Sequence, residues 1–258
     1  MPSLDDYQDS LLVKILYLGD SGTGKTSSLL SLLAAGYKLK IIDFDKGVLN
    51  LIMHIRKAGL KLSEDQFEYF TFQDQYKATQ QGLILSGPPK AFTDMLKKLT
   101  EWSAIDDPMT VVVIDSLTMM GRAAFAWANG MNPSNKDKRA IYGLGQDAIE
   151  DTISVLTSDN FKTNVIVITH IKYDEMEGLN KGFPNALGKA LGPKLPRYFN
   201  IMIQAETQGS GNNVRRKIRT LPTGLVDLKL PPIDIASELP LDTGLATIFN
   251  KLKEQTNA

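Results

Sequence analysis

The chain contains no cysteine among its 258 residues. That excludes a disulfide framework, a thiol nucleophile and a cysteine-based zinc site. No apolar run approaches the length that crosses a bilayer, and the opening MPSLDDYQDS is acidic rather than a basic-then-apolar leader. Internal repeats and low-complexity tracts are also missing. The expectation is a cytoplasmic protein without a membrane partner. What is present is ordinary for a globular chain: 43% hydrophobic and 22% charged residues, enough for one large α/β domain with a full core.

Net charge is zero, but its distribution is uneven. Between Gly178 and Arg219 lie Lys181, Lys189, Lys194, Arg197, Arg215, Arg216, Lys217 and Arg219, with Glu206 as the lone acid, an excess of +7. Such segregation fits either a local polyanion site or a solvated basic loop.

The most informative stretch is LYLGDSGTGKTSSLLSLL, Leu16 to Leu33. Gly19, Gly24, Lys25 and Thr26 match G-x-x-x-x-G-K-[ST], with Asp20, Ser21, Gly22 and Thr23 between them and Ser27 following. Glycines let consecutive N–H groups turn inward around an anion. A helix expected from Lys25 to about Ala35 directs its positive end at the same point, with Gly36 as its C-cap. Lys25 supplies a point charge for phosphates, and the Thr26 hydroxyl suits Mg²⁺. An apolar strand, Leu11–Leu18, precedes the loop, as phosphate loops require.

Strands and helices alternate from there. Lys38–Phe44 reads as a strand, Gly47–Ala58 as a helix and Phe67–Phe72 as a short strand. After Pro88–Pro89, a helix places Phe92, Met95, Leu96, Leu99 and Trp102 on one face. TVVVID, Thr110–Asp115, and NVIVIT, Asn164–Thr169, are continuous apolar strands suited to a buried parallel sheet. Between them Arg139–Leu156 carries Ile141, Leu144, Ala148, Ile149, Ile153 and Leu156 at helical spacing. Asn200–Glu206 and Val214–Thr220 flank GSGNN, a hairpin signal. The pattern predicts a mainly parallel sheet with helices on both faces and a C-terminal β-hairpin. Residues 1–10 read as an N-terminal segment, 11–220 as the core, and 221–258 as a proline-bearing wrap with a terminal helix. Gly130–Lys138, Lys172–Pro196 and Leu221–Leu239 read as loops.

Asp115 ends its strand where α/β sheets place ligands, as a Walker B carboxylate holding Mg²⁺ does; capping the next helix is the plainer role. The next residue is Ser116, so the adjacent glutamate base of AAA+ ATPases is missing. Guanine-nucleotide switches are disfavoured, because Asp115–Thr118 lacks the glycine of D-x-x-G. The run 135–138 resembles N-K-x-D but ends in Lys138.

LKIIDFDKG ends its strand in Asp43 and Asp45, which resembles the RecA-like ATPases; that match puts Asp45 at the position of the carboxylate that orients the attacking water, though the family usually has Glu there. Thr169-His170 resembles the family's polar sensor of the γ-phosphate. Lys217-Ile-Arg219 resembles its K-x-R element, whose cations reach a neighbouring subunit's ATP and so imply a homo-oligomer, a ring or a short filament. Over Leu11–Thr220 the order of parts is similar to compact phage RecA-like ATPases, some of which anneal or recombine single strands. By that resemblance Gly130–Arg139 and Lys172–Arg197 would face single-stranded DNA, with Lys181, Lys189, Lys194 and Arg197 on phosphates. Phe183 or Tyr173 could stack a base, whereas Tyr198 and Phe199 suit the core. The resemblance thus implies a slow, DNA-stimulated ATPase using ATP and Mg²⁺. A P-loop kinase of a small molecule or protein, and a non-hydrolysing scaffold or helicase-loading partner, stay open beside it.

Overall fold

The structure, a computed structural model, describes residues 12–80, 82–134, 137–176 and 178–256. The expected N-terminal segment 1–10 and residues 135 and 136 of the loop after Gly130 lie outside these.

The elements follow in order. β1 (Lys14–Gly19) leads through the phosphate loop into α1 (Lys25–Ser28) and α2 (Leu30–Ala34), then β2 (Lys38–Asp43), α3 (Val48–Ala58) and β3 (Phe67–Thr71). A small hairpin, β4 (Tyr76–Thr79) and β5 (Gly82–Leu85), precedes α4 (Ala91–Trp102), β6 (Thr110–Asp115), α5 (Leu117–Met131), α6 (Lys138–Thr157) and β7 (Asn164–Thr169). Then come β8 (Ile171–Met176), β9 (Leu179–Pro184), a 3-10 segment at Gly192–Tyr198, β10 (Ile201–Gln208), β11 (Arg215–Arg219), β12 (Glu238–Pro240) and α7 (Gly244–Thr256).

One eight-stranded sheet runs β12-β11-β10-β1-β7-β6-β2-β3. From β10 to β3 all pairings are parallel, and β11 and β12 add antiparallel strands at one edge. The central strands are apolar between their ends because both of their faces are covered. Leu16, Leu18, Val112, Ile114, Val165 and Val167 face α4, α5 and α6. Their alternates Ile15, Tyr17, Val111, Val113, Ile166 and Ile168 face α2, α3 and α7. The α/β fold, its parallel sheet, helices on both faces and the β10–β11 hairpin agree with the sequence reading.

Three details differ. The helix expected over Lys25–Ala35 is broken at Leu29 into α1 and α2, although Gly36 takes the left-handed φ of 88° expected of a C-cap. Leu144, placed on the apolar face of α6, is exposed. The expected loop Lys172–Pro196 is the β8–β9 hairpin followed by the 3-10 segment. Its residues give no clean apolar alternation, since pairing between its own backbones and a bond from Gly182 N to Leu225 O (2.7 Å) hold it. The terminal helix is α7, whose Leu245, Ile248, Phe249 and Leu252 are buried in the second core.

Candidate functional site

Because the strands are parallel, the ends of β1, β2, β6 and β7 lie together: Asp43 pairs in register with Asp115, Asp115 with Ile168, and Leu18 with Thr169. A cleft of about 1050 Å³ opens along this edge, lined among others by Lys25, Thr26, Asp45, Asp115, His170 and Arg216.

The phosphate loop has the backbone its glycines permit. Gly22 and Gly24 take left-handed φ values of 78° and 89°, and Gly24 is the N-cap of α1. Ser21, Gly22, Gly24, Lys25, Thr26 and Ser27 line the cleft. Lys25 curls over its own loop, donating to Gly19 O (2.7 Å) and Asp20 O (2.9 Å). Burial holds its pKa below the usual lysine range, while Asp115, Asp20 and Asp45 pull it back up. The Thr23 hydroxyl donates to Asp20 O (2.8 Å), bracing the turn.

Asp115 does not cap the helix that follows it. Its Oδ2 accepts from the Thr26 hydroxyl at 2.6 Å. Burial pushes its pKa up to about 6; the Thr26 bond opposes this, Asp45 and Asp43 add to it, and Lys25 opposes. The peptide bond from Asp115 to Ser116 is cis. A carboxylate and a hydroxyl in contact, beside two further carboxylates, fit a hard divalent cation that completes its shell with water and phosphate oxygens. Thr26 and Asp115 are the residues that would hold Mg²⁺.

Asp43 and Asp45, of which the resemblance singled out Asp45, part company here. Asp43 is fully buried; its Oδ1 accepts from the N–H groups of Asp45 and Gly47 (both 3.1 Å), and its Oδ2 from the Thr71 hydroxyl (3.3 Å). It closes the turn in which Lys46 takes a left-handed φ of 61°, rare for a residue with a side chain. Asp45 instead faces the cleft. Its Oδ2 accepts from the Ser116 hydroxyl at 2.9 Å and lies 3.7 Å from His170 Nε2.

The expected sensor pair also divides. His170 lines the cleft. Thr169 is buried, and its hydroxyl donates to His170 O (3.1 Å) and Asn185 O (3.3 Å), beside a Thr118 hydroxyl that donates to Asn185 O (3.0 Å).

Lys217 and Arg219 do lie on one face of β11, but acids engage both. Lys217 Nζ is 2.7 Å from Glu238 and 3.9 Å from Glu206, and Arg219 reaches Glu206 at 3.0 Å and Glu238 at 3.1 Å. The expected DNA cations are mostly paired too. Lys181 meets Asp227 at 2.7 Å, while Lys194 and Arg197 approach Glu150 at 3.7 and 3.5 Å. Lys189 is exposed. Tyr173 is exposed on β8, Phe199 is buried, and the Tyr198 hydroxyl donates to Glu150 Oε1 at 2.6 Å.

Several site residues carry no local signature. Ser116 orients Asp45 from another strand's end. At Gly47 a Cβ would stand 3.1 Å from both Asp115 Oδ2 and Thr26 Oγ1, so its lack of side chain admits that pair. Arg216, counted only as part of the basic run, donates Nε to Gly22 O at 3.1 Å.

Among solved structures, the chain is similar to a KaiC-like protein from the archaeon Pyrococcus horikoshii and to the flagellar accessory protein FlaH from Methanocaldococcus jannaschii. Each is 12% identical with a TM-score of 0.45, over 88% of this chain and 84% and 83% of theirs. No curated protein matches the sequence. Residues 12–229, from the first strand past the β10–β11 hairpin, match the family described as AAA domain, and the chain belongs to that family.

Proposed function

We propose that this protein is an ATPase that binds Mg²⁺–ATP on Gly19–Ser27 and hydrolyses it slowly, with Asp45 orienting the attacking water. The observation that carries this reading is the arrangement around Asp45. Its carboxylate is aimed into the cleft by Ser116 and flanked by His170, across from Lys25 and the Thr26–Asp115 pair. The ion on Thr26 and Asp115 would supply charge neutralisation for the phosphates. Lys25 would exchange its two loop carbonyls for phosphate oxygens. Asp45, held by a hydroxyl rather than a cation, keeps lone pairs for a water proton.

We infer further that the enzyme is homo-oligomeric and stimulated by single-stranded DNA, acting in phage-type recombination, annealing or replication. The support is the resemblance to RecA-like ATPases and the basic segment that includes the β8–β9 hairpin, whose root is joined to His170 by a bond from Asn185 N to His170 O (2.8 Å).

The test is ATP hydrolysis with and without single-stranded DNA, with Lys25→Ala as the blank. Asp45→Asn is expected to lower the rate by about 10²–10⁴ while ATP still binds. A wild-type rate in Asp45→Asn would overturn its assignment. Stimulation by DNA supports the DNA-coupled role; an unchanged rate with saturating DNA rejects it and leaves the ATPase.

A further inference from the structure

The cations of β11 point to two different places. Lys217 and Arg219 share the face that meets Glu206 and Glu238. Arg216 and Ile218 share the other. Ile218 is buried in the second core, opposite Ala205, and Arg216 lies two residues further out, opposite Thr207. Ala205 itself pairs with Gly19, the last residue of β1, so Arg216 stands past the end of β1, beside the phosphate loop.

There its side chain is fitted to the loop. Nε donates to Gly22 O at 3.1 Å, and Cδ would be 3.3 Å from a Cβ on Gly24. Leu241 secures the arrangement: its N–H reaches Arg216 O at 3.4 Å, and its Cδ2 lies 2.5 Å from where that same Cβ would be. Acids engage Lys217, Arg219, Lys181, Lys194 and Arg197, but among the described residues no ion pair involves Arg216. A guanidinium has five donors in a planar fork. With Nε on Gly22, its terminal amino groups have no protein partner among the described residues, and Arg216 lines the cleft with Lys25 and Thr26.

We propose that Arg216 binds the phosphate chain of the nucleotide held by its own subunit. This rests on the nucleotide reading of the loop given above. The Nε bond orients this exposed side chain towards the loop, so its terminal amino groups can meet phosphate oxygens. The contact needs no second copy of the chain, unlike the one implied for Lys217 and Arg219.

The experiment is equilibrium binding of fluorescent ATP, ADP and AMP derivatives, with Mg²⁺, to wild type and to Arg216→Gln and Arg216→Ala. Glutamine keeps a donor for Gly22 O but carries no charge. Arg216→Gln is expected to weaken ATP by about 10-fold or more, ADP less and AMP least, with an unchanged unfolding midpoint. An ATP affinity equal to wild type would overturn the inference, as would equal losses for all three nucleotides, which would mean that Arg216 only shapes the loop. Wild-type protein that binds none of the three would sink the nucleotide reading together with this inference. Equimolar Arg216→Ala and Lys25→Ala chains should recover no hydrolysis beyond the sum of each alone. Recovery would mean that the arginine serves a neighbour, which also overturns the inference.

Discussion

β1 carries a buried lysine at its first residue and leads through the phosphate loop to another at the start of α1, and the two make opposite use of the same chemistry. Lys14 donates to Leu156 O, Phe161 O and Thr163 O at 2.9, 2.8 and 2.8 Å, partners between 142 and 149 residues along the chain. All three ammonium protons are engaged, so the residue ties β1 to the turn between α6 and β7. Among the described residues Lys25 donates to Gly19 and Asp20 of its own loop, and it faces the cleft. Burial lowers the pKa of both, that of Lys14 to about 8. A buried cation is structural when distant backbone saturates it, and available to a ligand when its partners are local and exchangeable.

The largest expected effect lies at the far end. Lys25→Ala should cut ATP affinity by about 100-fold or more and reduce hydrolysis to background, with the unfolding midpoint nearly unchanged. Nucleotide titration and thermal unfolding of the same sample check this; a large fall in stability would break the contrast.

Lys14→Met should do the reverse. Three carbonyls lose a charged donor, for a loss of about 3 kcal/mol in urea unfolding, while ATP affinity is retained. The sign with pH follows from the folded pKa of about 8 lying below the ordinary 10.5. Below pH 8 both states hold the proton and the burial cost is fully felt. From about 8 to 10.5 the unfolded chain binds more protons, so the contribution of Lys14 to stability rises with pH across that window. The difference in unfolding free energy between wild type and Lys14→Met, measured at pH 7.5 and pH 10, should therefore widen at the higher pH.

Gly47→Ala sharpens the contrast from the ligand side. Its φ is ordinary at −67°, so the added methyl acts through space alone, against Asp115 and Thr26. The Mg²⁺ concentration for half-maximal hydrolysis should rise by about 10-fold. An unchanged requirement would remove Thr26 and Asp115 as the metal pair.

The smallest effect belongs to the basic segment. Lys181→Ala removes a surface pair with Asp227 and should shift stability by less than about 1 kcal/mol. If Lys181, Lys189, Lys194 and Arg197 all engage single-stranded DNA, log K should fall with log salt at a slope near −3, and Lys181→Ala should flatten it by about 0.7. A flat salt response in wild type removes this segment as a DNA site.

What could be read in advance follows the same division. The glycine-bracketed loop, Lys25 and Thr26 were legible because their chemistry needs residues at fixed local spacing. TVVVID and NVIVIT were legible because strands buried on both faces are apolar without interruption. The β8–β9 hairpin was not, since its residues read as a loop and backbone pairing forms it. Asp45 was singled out by resemblance, but the contacts that bury Asp43 and aim Asp45 were not legible, since they depend on Gly47, Thr71 and Ser116.

The sequence by itself thus determined an anion-binding turn between a strand and a helix, a parallel sheet to carry it, and a carboxylate at the end of another strand. Those features arise from contacts within a few residues or from simple periodicity. Only the tertiary structure decided which charges face the cleft and which are neutralised. That Glu238 meets Lys217 and Arg219 while Arg216 reaches Gly22 depends on how strands distant in sequence lie side by side. An electrostatic environment is set by neighbours in space, and composition alone does not fix which neighbours those are.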